Sequence, residues 1–256
     1  AQVARASTTI NVTTTDDELN NDGDCSLREA IRAANTDTAV DACPAGSGAD
    51  TINLPAGTYT LSITGQFEDA SLTGDLDVNS SVTINGVGAN STIINGNNLD
   101  RVFEVFYPTS LIMSEVTVTG GNPDINNGGG FYVNQNAALT LDNVIITGNS
   151  AGHGAGIINV GITTLTDSAV SNNTASDTGG GIRNDATLRI INSTLNNNLA
   201  ANAGGGIENH GTLTITNSTI SNSQAGTGGG IYNGYGPLST GSTTYLNNAT
   251  ITSNIA

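Results

Sequence analysis

The sequence predicts an all-β fold, a parallel β-helix with three short strands and roughly 25 residues per coil, preceded by a short capping helix. Three observations carry that prediction. A glycine phrase recurs: Gly-Gly-Gly-Phe at 128–131, Gly-Ala-Gly-Ile at 154–157, and Gly-Gly-Gly-Ile at 179–182, 204–207 and 228–231. Its closing residues stand 26, 25, 25 and 24 positions apart, a near-constant period that marks a solenoid. Between the phrases, Leu139-Thr-Leu141, Thr163-Thr-Leu165, Leu188-Arg-Ile190, Leu213-Thr-Ile215 and Thr244-Tyr-Leu246 alternate inward and outward positions with the period of a strand. Asn143, Asp167, Asn192, Asn217 and Asn248 follow two residues later, a residue type that tolerates the left-handed backbone of tight corners.

From the start of the chain, Thr8-Thr-Ile10-Asn-Val12 reads as a strand. An acidic turn leads to Ser26 and Glu29, which make a capping box ahead of an apolar stripe of Leu27, Ile31 and Ala34. That stripe predicts a short amphipathic helix that plugs the first coil. Cys25 and Cys43 enclose 17 residues, a span that a disulfide closes easily; two unpaired buried thiols are the other reading. Residues 1–50 therefore form a strand, turn and capping helix, and residues 51–256 form the solenoid.

Looser coils precede the regular ones, at Leu76-Asp-Val78, Val82-Thr-Ile84, Thr92-Ile-Ile94 and Val116-Thr-Val118. Roughly eight coils give a rod of about 40 Å at the interstrand spacing. The apolar columns Ile146, Val170, Leu195, Ile220 and Ile251 fill the interior, and the columns at Asn149 and Asn159 bond coil to coil. The chain stops at Ala256, where a sixth glycine phrase would open, and solenoids normally carry a cap. Either the natural polypeptide continues, or a second copy stacks head-to-tail on this coil and builds filaments.

A net charge of −16, with Arg as the sole basic residue type, argues against nucleic acid and anionic membrane surfaces as partners. No apolar run approaches the roughly 18 residues of a membrane-spanning helix. The chain begins at Ala1 without Met, which reads as a processed start. The even cysteine pair in a turn-rich, Lys-free chain favours an oxidising, extracellular location.

The string Cys25-Ser-Leu-Arg-Glu-Ala-Ile-Arg-Ala-Ala-Asn35 resembles the CSLREA domain that opens many secreted bacterial β-helix proteins. The units Ile146-x-x-Asn149-x-Ala151 and Leu195-x-x-Asn198-x-Ala200, each followed by a glycine phrase, resemble the chlamydial polymorphic membrane protein repeat, although Ser223 departs from its Asn. These resemblances imply a right-handed β-helix on a bacterial surface with adhesive or structural duty. They imply no reaction.

Candidate chemistry is sparse. Glu18, Asn20, Asp22 and Asp24, with Gly23 between, place oxygen donors at the alternate positions of a calcium loop, so calcium is the one cofactor to consider. Tyr232, Tyr235 and Tyr245 are outward aromatics able to stack on sugar rings of a surface glycan. A pectic hydrolase needs several Asp residues meeting beside a His. The alignment separates Asp142 from Asp167, leaves Arg183 and Arg189 as isolated bases, and makes His210 a lone turn residue. The expected function is therefore an extracellular structural or adhesive rod and not an enzyme. A carbohydrate-binding or polysaccharide-degrading β-helix is the alternative.

Overall fold

The computed structural model describes residues 7–66, 68–234 and 241–256. They wind as a parallel β-helix whose strands stack into three long sheets. The nine-stranded sheet runs from Thr9–Asn11 and Asp50–Asn53 to Thr212–Thr216 and Thr243–Asn247. The eight-stranded sheet runs from Gly57–Thr60 to Thr250–Thr252, and the seven-stranded sheet from Leu76–Val78 to Ile231–Asn233. A fourth element, unforeseen in the three-strand reading, is a short sheet of Ser150–His153, Thr174–Thr178 and Leu199–Ala200.

Equivalent residues stand in register. Leu141, Leu165, Ile190 and Ile215 pair in succession, as do Ile146, Val170, Leu195 and Ile220, and all eight are buried. Phe103 and Phe131 stack at 5.5 Å between ring centroids inside the earlier coils. Thr163 is polar but fully buried, and its hydroxyl donates to Asn159 Oδ1 at 2.9 Å, which removes the cost of an unpaired group.

The corners obey the expected chemistry. Asn143, Asp167, Asn192, Asn217 and Asn248 have φ between 49° and 52°, the left-handed region. Two interior asparagine ladders tie coils together. Asn149 Nδ2 donates to Asn173 Oδ1 at 3.0 Å and Asn173 Nδ2 to Asn198 Oδ1 at 3.1 Å. Asn159, Asn184, Asn209 and Asn233 repeat the pattern at 2.8, 2.7 and 3.0 Å. The glycine phrase is needed sterically: a Cβ on Gly130 would sit 2.5 Å from the carbonyl of Gly156 in the next coil.

The single helix among the described residues, Leu27–Thr36, carries the capping box at Ser26 and Glu29 and buries Leu27, Ala30, Ile31, Ala33 and Ala34. Cys25 and Cys43 form a disulfide. The helix does more than plug the coil. Arg28 is fully buried, bonds Asp17 at 2.5 Å, and donates to the carbonyls of Gly74 and Asp75 at 2.8 and 3.1 Å. Asn35 Nδ2 donates to the Asp77 carbonyl at 2.7 Å. The helix thus fixes the backbone of the segment 74–77, on which the candidate site is built. No helix among the described residues is long and apolar enough to cross a membrane.

Candidate functional site

Each strand of the seven-stranded sheet has three residues, so its first and last side chains enter the core and its middle one points outward. Read down the sheet in register, the outward positions are Asp77, Glu104, Tyr132, Ile158, Arg183, Glu208 and Tyr232. Ile158 is buried under Gly128, and charged groups collect on either side of it.

On the side nearer the helix, Glu68, Asp69, Asp75, Asp100, Arg101 and Glu104 line a cleft of about 200 Å³. Five carboxylic acids face one guanidinium there. Burial, then the neighbouring Asp77, pushes the Asp75 carboxyl up to about 8, with Arg101 opposing. Burial also pushes Asp77 up to about 7, although its Oδ2 accepts the Ser71 amide at 2.6 Å. Asp100 is raised as well, again by burial first. Ionisation is disfavoured because a buried charge loses its hydration.

Arg101 organises the cleft. Its Nε lies 3.7 Å from Asp75 Oδ2 and 3.9 Å from Asp100 Oδ1, its Nη1 pairs with Glu104, and its guanidinium lies 5.2 Å from the ring centroid of Tyr132. Glu104 Oε1 also accepts from Asn134 at 2.7 Å. One oxygen each from Asp75, Asp77 and Glu104 come within 4.8 Å of one another. Asp77 Oδ1 and Arg101 Nε are buried without a hydrogen-bond partner. The cleft therefore sets Asp75, whose ionisation burial disfavours, beside Glu104 in its ion pair to Arg101. Divergent environments for two acids are the usual foundation of acid–base work.

Beyond Ile158 lies a second network. His210 Nδ1 meets Asp185 Oδ1 at 3.0 Å and Nε2 meets Glu208 Oε1 at 3.2 Å, and these two acceptors raise its pKa to about 9. Arg183 Nε reaches both Asp185 oxygens at 3.2 Å, and its Nη1 lies 3.3 Å from His153 Nδ1. Arginine only donates, so His153 Nδ1 accepts there and Nε2 carries the proton toward Asp177, 3.5 Å away. Bonds to His210 and Arg183 hold Asp185 below the usual carboxylate range, although burial pushes the other way.

Several expectations need correction. Arg183 is not isolated, and His210 is not alone: Arg183 meets Glu208 and His210 meets Asp185, each 25 positions apart, because one coil separates them. Tyr232 and Tyr245 do not share a platform, because Tyr245 lies exposed on the nine-stranded sheet. Tyr235 lies outside the described residues. In the acidic turn, oxygens of Glu18, Asp22 and Asp24 do converge within 4.8 Å. Partial burial and those two neighbours push Glu18 up to about 7. Asn20, however, meets Glu18 and Asp22 through its amide nitrogen, at 2.6 and 3.1 Å, as a donor rather than as an oxygen ligand. Asp41, which the loop pattern missed, accepts the amides of Asp22 and Gly23 at 3.1 and 2.9 Å.

Of the cleft, only Glu104 and the adjoining Asp77 lie on the outward column; Asp75, Asp100 and Arg101 sit at turns between strands. Reading the middle residue of the triplets Leu76-Asp-Val78 and Phe103-Glu-Val105 would have found Asp77 and Glu104, and the same position in Ile182-Arg-Asn184 and Ile207-Glu-Asn209 gives Arg183 and Glu208 of the second network.

No family model matches the chain, and no curated protein matches it. Among solved structures it is similar to the pectin methylesterase PemA from Erwinia chrysanthemi, at 13% identity and a TM-score of 0.55, over 97% of this chain and 79% of that one. That protein is an enzyme. At that identity the likeness shows the parallel β-helix fold, and it overturns the expectation that a chain of this kind is not an enzyme.

Proposed function

We propose that the chain is a polysaccharide-modifying enzyme acting on an uncharged polysaccharide, neutral or esterified, at the cleft around Asp75. The observation that carries this reading is the convergence of Asp75 and Glu104 oxygens within 4.8 Å in the cleft, with Glu104 ion-paired to Arg101 and burial pushing the Asp75 carboxyl up to about 8. A protonated acid donates to a leaving oxygen, and a carboxylate opposite it attacks or activates water. Carboxyl groups about 5 Å apart suit direct attack on an anomeric carbon, and here oxygens of the two acids lie within 4.8 Å. The similar fold of a pectin methylesterase supports an enzyme on this scaffold. A free uronate is a poor substrate, because five acids line the cleft against one Arg. The disulfide supports action outside the cytoplasm.

The test is incubation with neutral glycans, methyl-esterified pectin and its free acid, measuring new reducing ends and released methanol separately. New reducing ends identify glycosidic cleavage, and methanol alone identifies ester hydrolysis. Glu104→Gln lowers either rate by about 100-fold or more if Glu104 acts directly. A Glu104→Gln protein as active as the parent would remove the carboxyl pair from the mechanism.

A further inference from the structure

The outward row continues past the cleft. From Glu104 to Tyr232 it crosses five coil steps of about 4.8 Å each, or about 24 Å. At its far end Arg183, Glu208 and Tyr232 occupy equivalent positions on successive strands. Glu208 Oε2 has no hydrogen-bond partner, although the Glu208 side chain is only 6% exposed. Beside it, Arg183 commits Nε and Nη1, and its Nη2 meets no partner among the described residues. An acceptor with no hydrogen bond, held only by the ion pair of Oε2 to Arg183 Nε at 3.6 Å, next to a donor with no partner matches a hydroxyl, which both gives and takes a hydrogen bond. The phenol ring of Tyr232, next in the row, adds an apolar face with a polar edge.

Charge selects the ligand class. Arg183 and His210 lie against Asp185 and Glu208, two positive groups against two negative ones, so the cluster attracts neither an anion nor a cation strongly. His153 accepts from Arg183, and Asp177 lies beyond it, half-exposed at the margin. We infer that Arg183, Glu208 and Tyr232 form a distal subsite for an uncharged sugar unit, so that the protein holds an oligosaccharide stretched along the seven-stranded sheet rather than a short one in the cleft. This inference rests on the polysaccharide reading of the cleft, and it adds dependence on chain length.

The experiment is calorimetric titration of the full chain carrying Asp75→Asn, which blocks turnover, with cello-, xylo- and manno-oligosaccharides from disaccharide to octasaccharide. Affinity is expected to rise with length until the ligand covers about 24 Å. Adding Tyr232→Ala should weaken the longest ligand by about tenfold, the equivalent of one aromatic contact, and leave the disaccharide unchanged. Tyr232→Phe keeps the ring and retains the affinity, while Tyr245→Ala, on another sheet, matches the parent. Affinity independent of length, no binding by any of these ligands, or Tyr232→Ala binding like the parent overturns the subsite. Length-dependent, Tyr232-dependent binding by a protein whose wild-type form turns nothing over would sustain the subsite and reject the catalytic cleft.

Discussion

Asp75 joins burial to chemistry. Burial, then the neighbouring Asp77, pushes its carboxyl up to about 8, because ionisation would place a charge in a poorly hydrated site. As the donor in the reaction, it should give the wild-type rate an alkaline limb near pH 8. Asp75→Asn should lower the rate by about 10²–10⁴-fold and abolish that limb, as a pH–rate profile would show. The same group affects stability. Its folded pKa lies above the ordinary 3.8, so it costs stability as pH rises from about 4 through about 8. Asp75→Asn should therefore melt higher than wild type at pH 9. His210 has the usual sign for a partnered histidine: its contribution is fully present below about 6.5 and is lost as pH rises through about 9. His210→Gln should cost about 1 kcal/mol at pH 6, a modest figure because solvent screens part of the interaction, and almost nothing at pH 10, measured by denaturant unfolding.

At the scale of the coil, backbones approach so closely that side chains have no room. The carbonyl of Gly156 would lie 2.5 Å from a Cβ at Gly130, whereas a Cβ at Gly241 meets nothing within 4 Å. Gly130→Ala should cost about 2–3 kcal/mol and Gly241→Ala almost nothing, compared by thermal melting. Asn173→Ala should cost a similar amount, because Asn149 loses its acceptor and the carbonyl of Ile146 loses its donor in a fully buried ladder. These features were legible in the sequence because stacking repeats them: the glycine phrase, the Asn columns and the alternating apolar triplets all recur at one period. The cleft was not legible in that way. Asp75, Asp100 and Arg101 sit at the turns of the early coils, where spacing is irregular and no column reinforces a reading. Arg28 and Asn35 had a visible signature as part of the helix, but their bonds to the carbonyls of 74–77 depend on tertiary approach. Local pattern predicts which residues face outward, and the stacking of coils decides which of them meet.

At the scale of the molecule, the three long sheets of the described residues differ in what they present. The nine- and eight-stranded sheets show mainly Thr, Ser and Asn outward, with Tyr245, Leu246 and Ile251 exposed on the last coil. The seven-stranded sheet instead carries the charged clusters, flanked by Tyr132 and Tyr232. The helix bonds the carbonyls of Gly74, Asp75 and Asp77, so this edge of the cleft rests on backbone that the helix holds. Polysaccharide turnover by Asp75 is the central claim, and product analysis by mass spectrometry tests it most directly. Wild type and a folded Asp75→Asn variant would be incubated with neutral, methyl-esterified and free-acid polysaccharides. The account predicts that wild type shortens or de-esterifies an uncharged polysaccharide and that the variant does so at least about 100-fold more slowly. Equal rates in the two proteins, or no product from any polysaccharide, would contradict it.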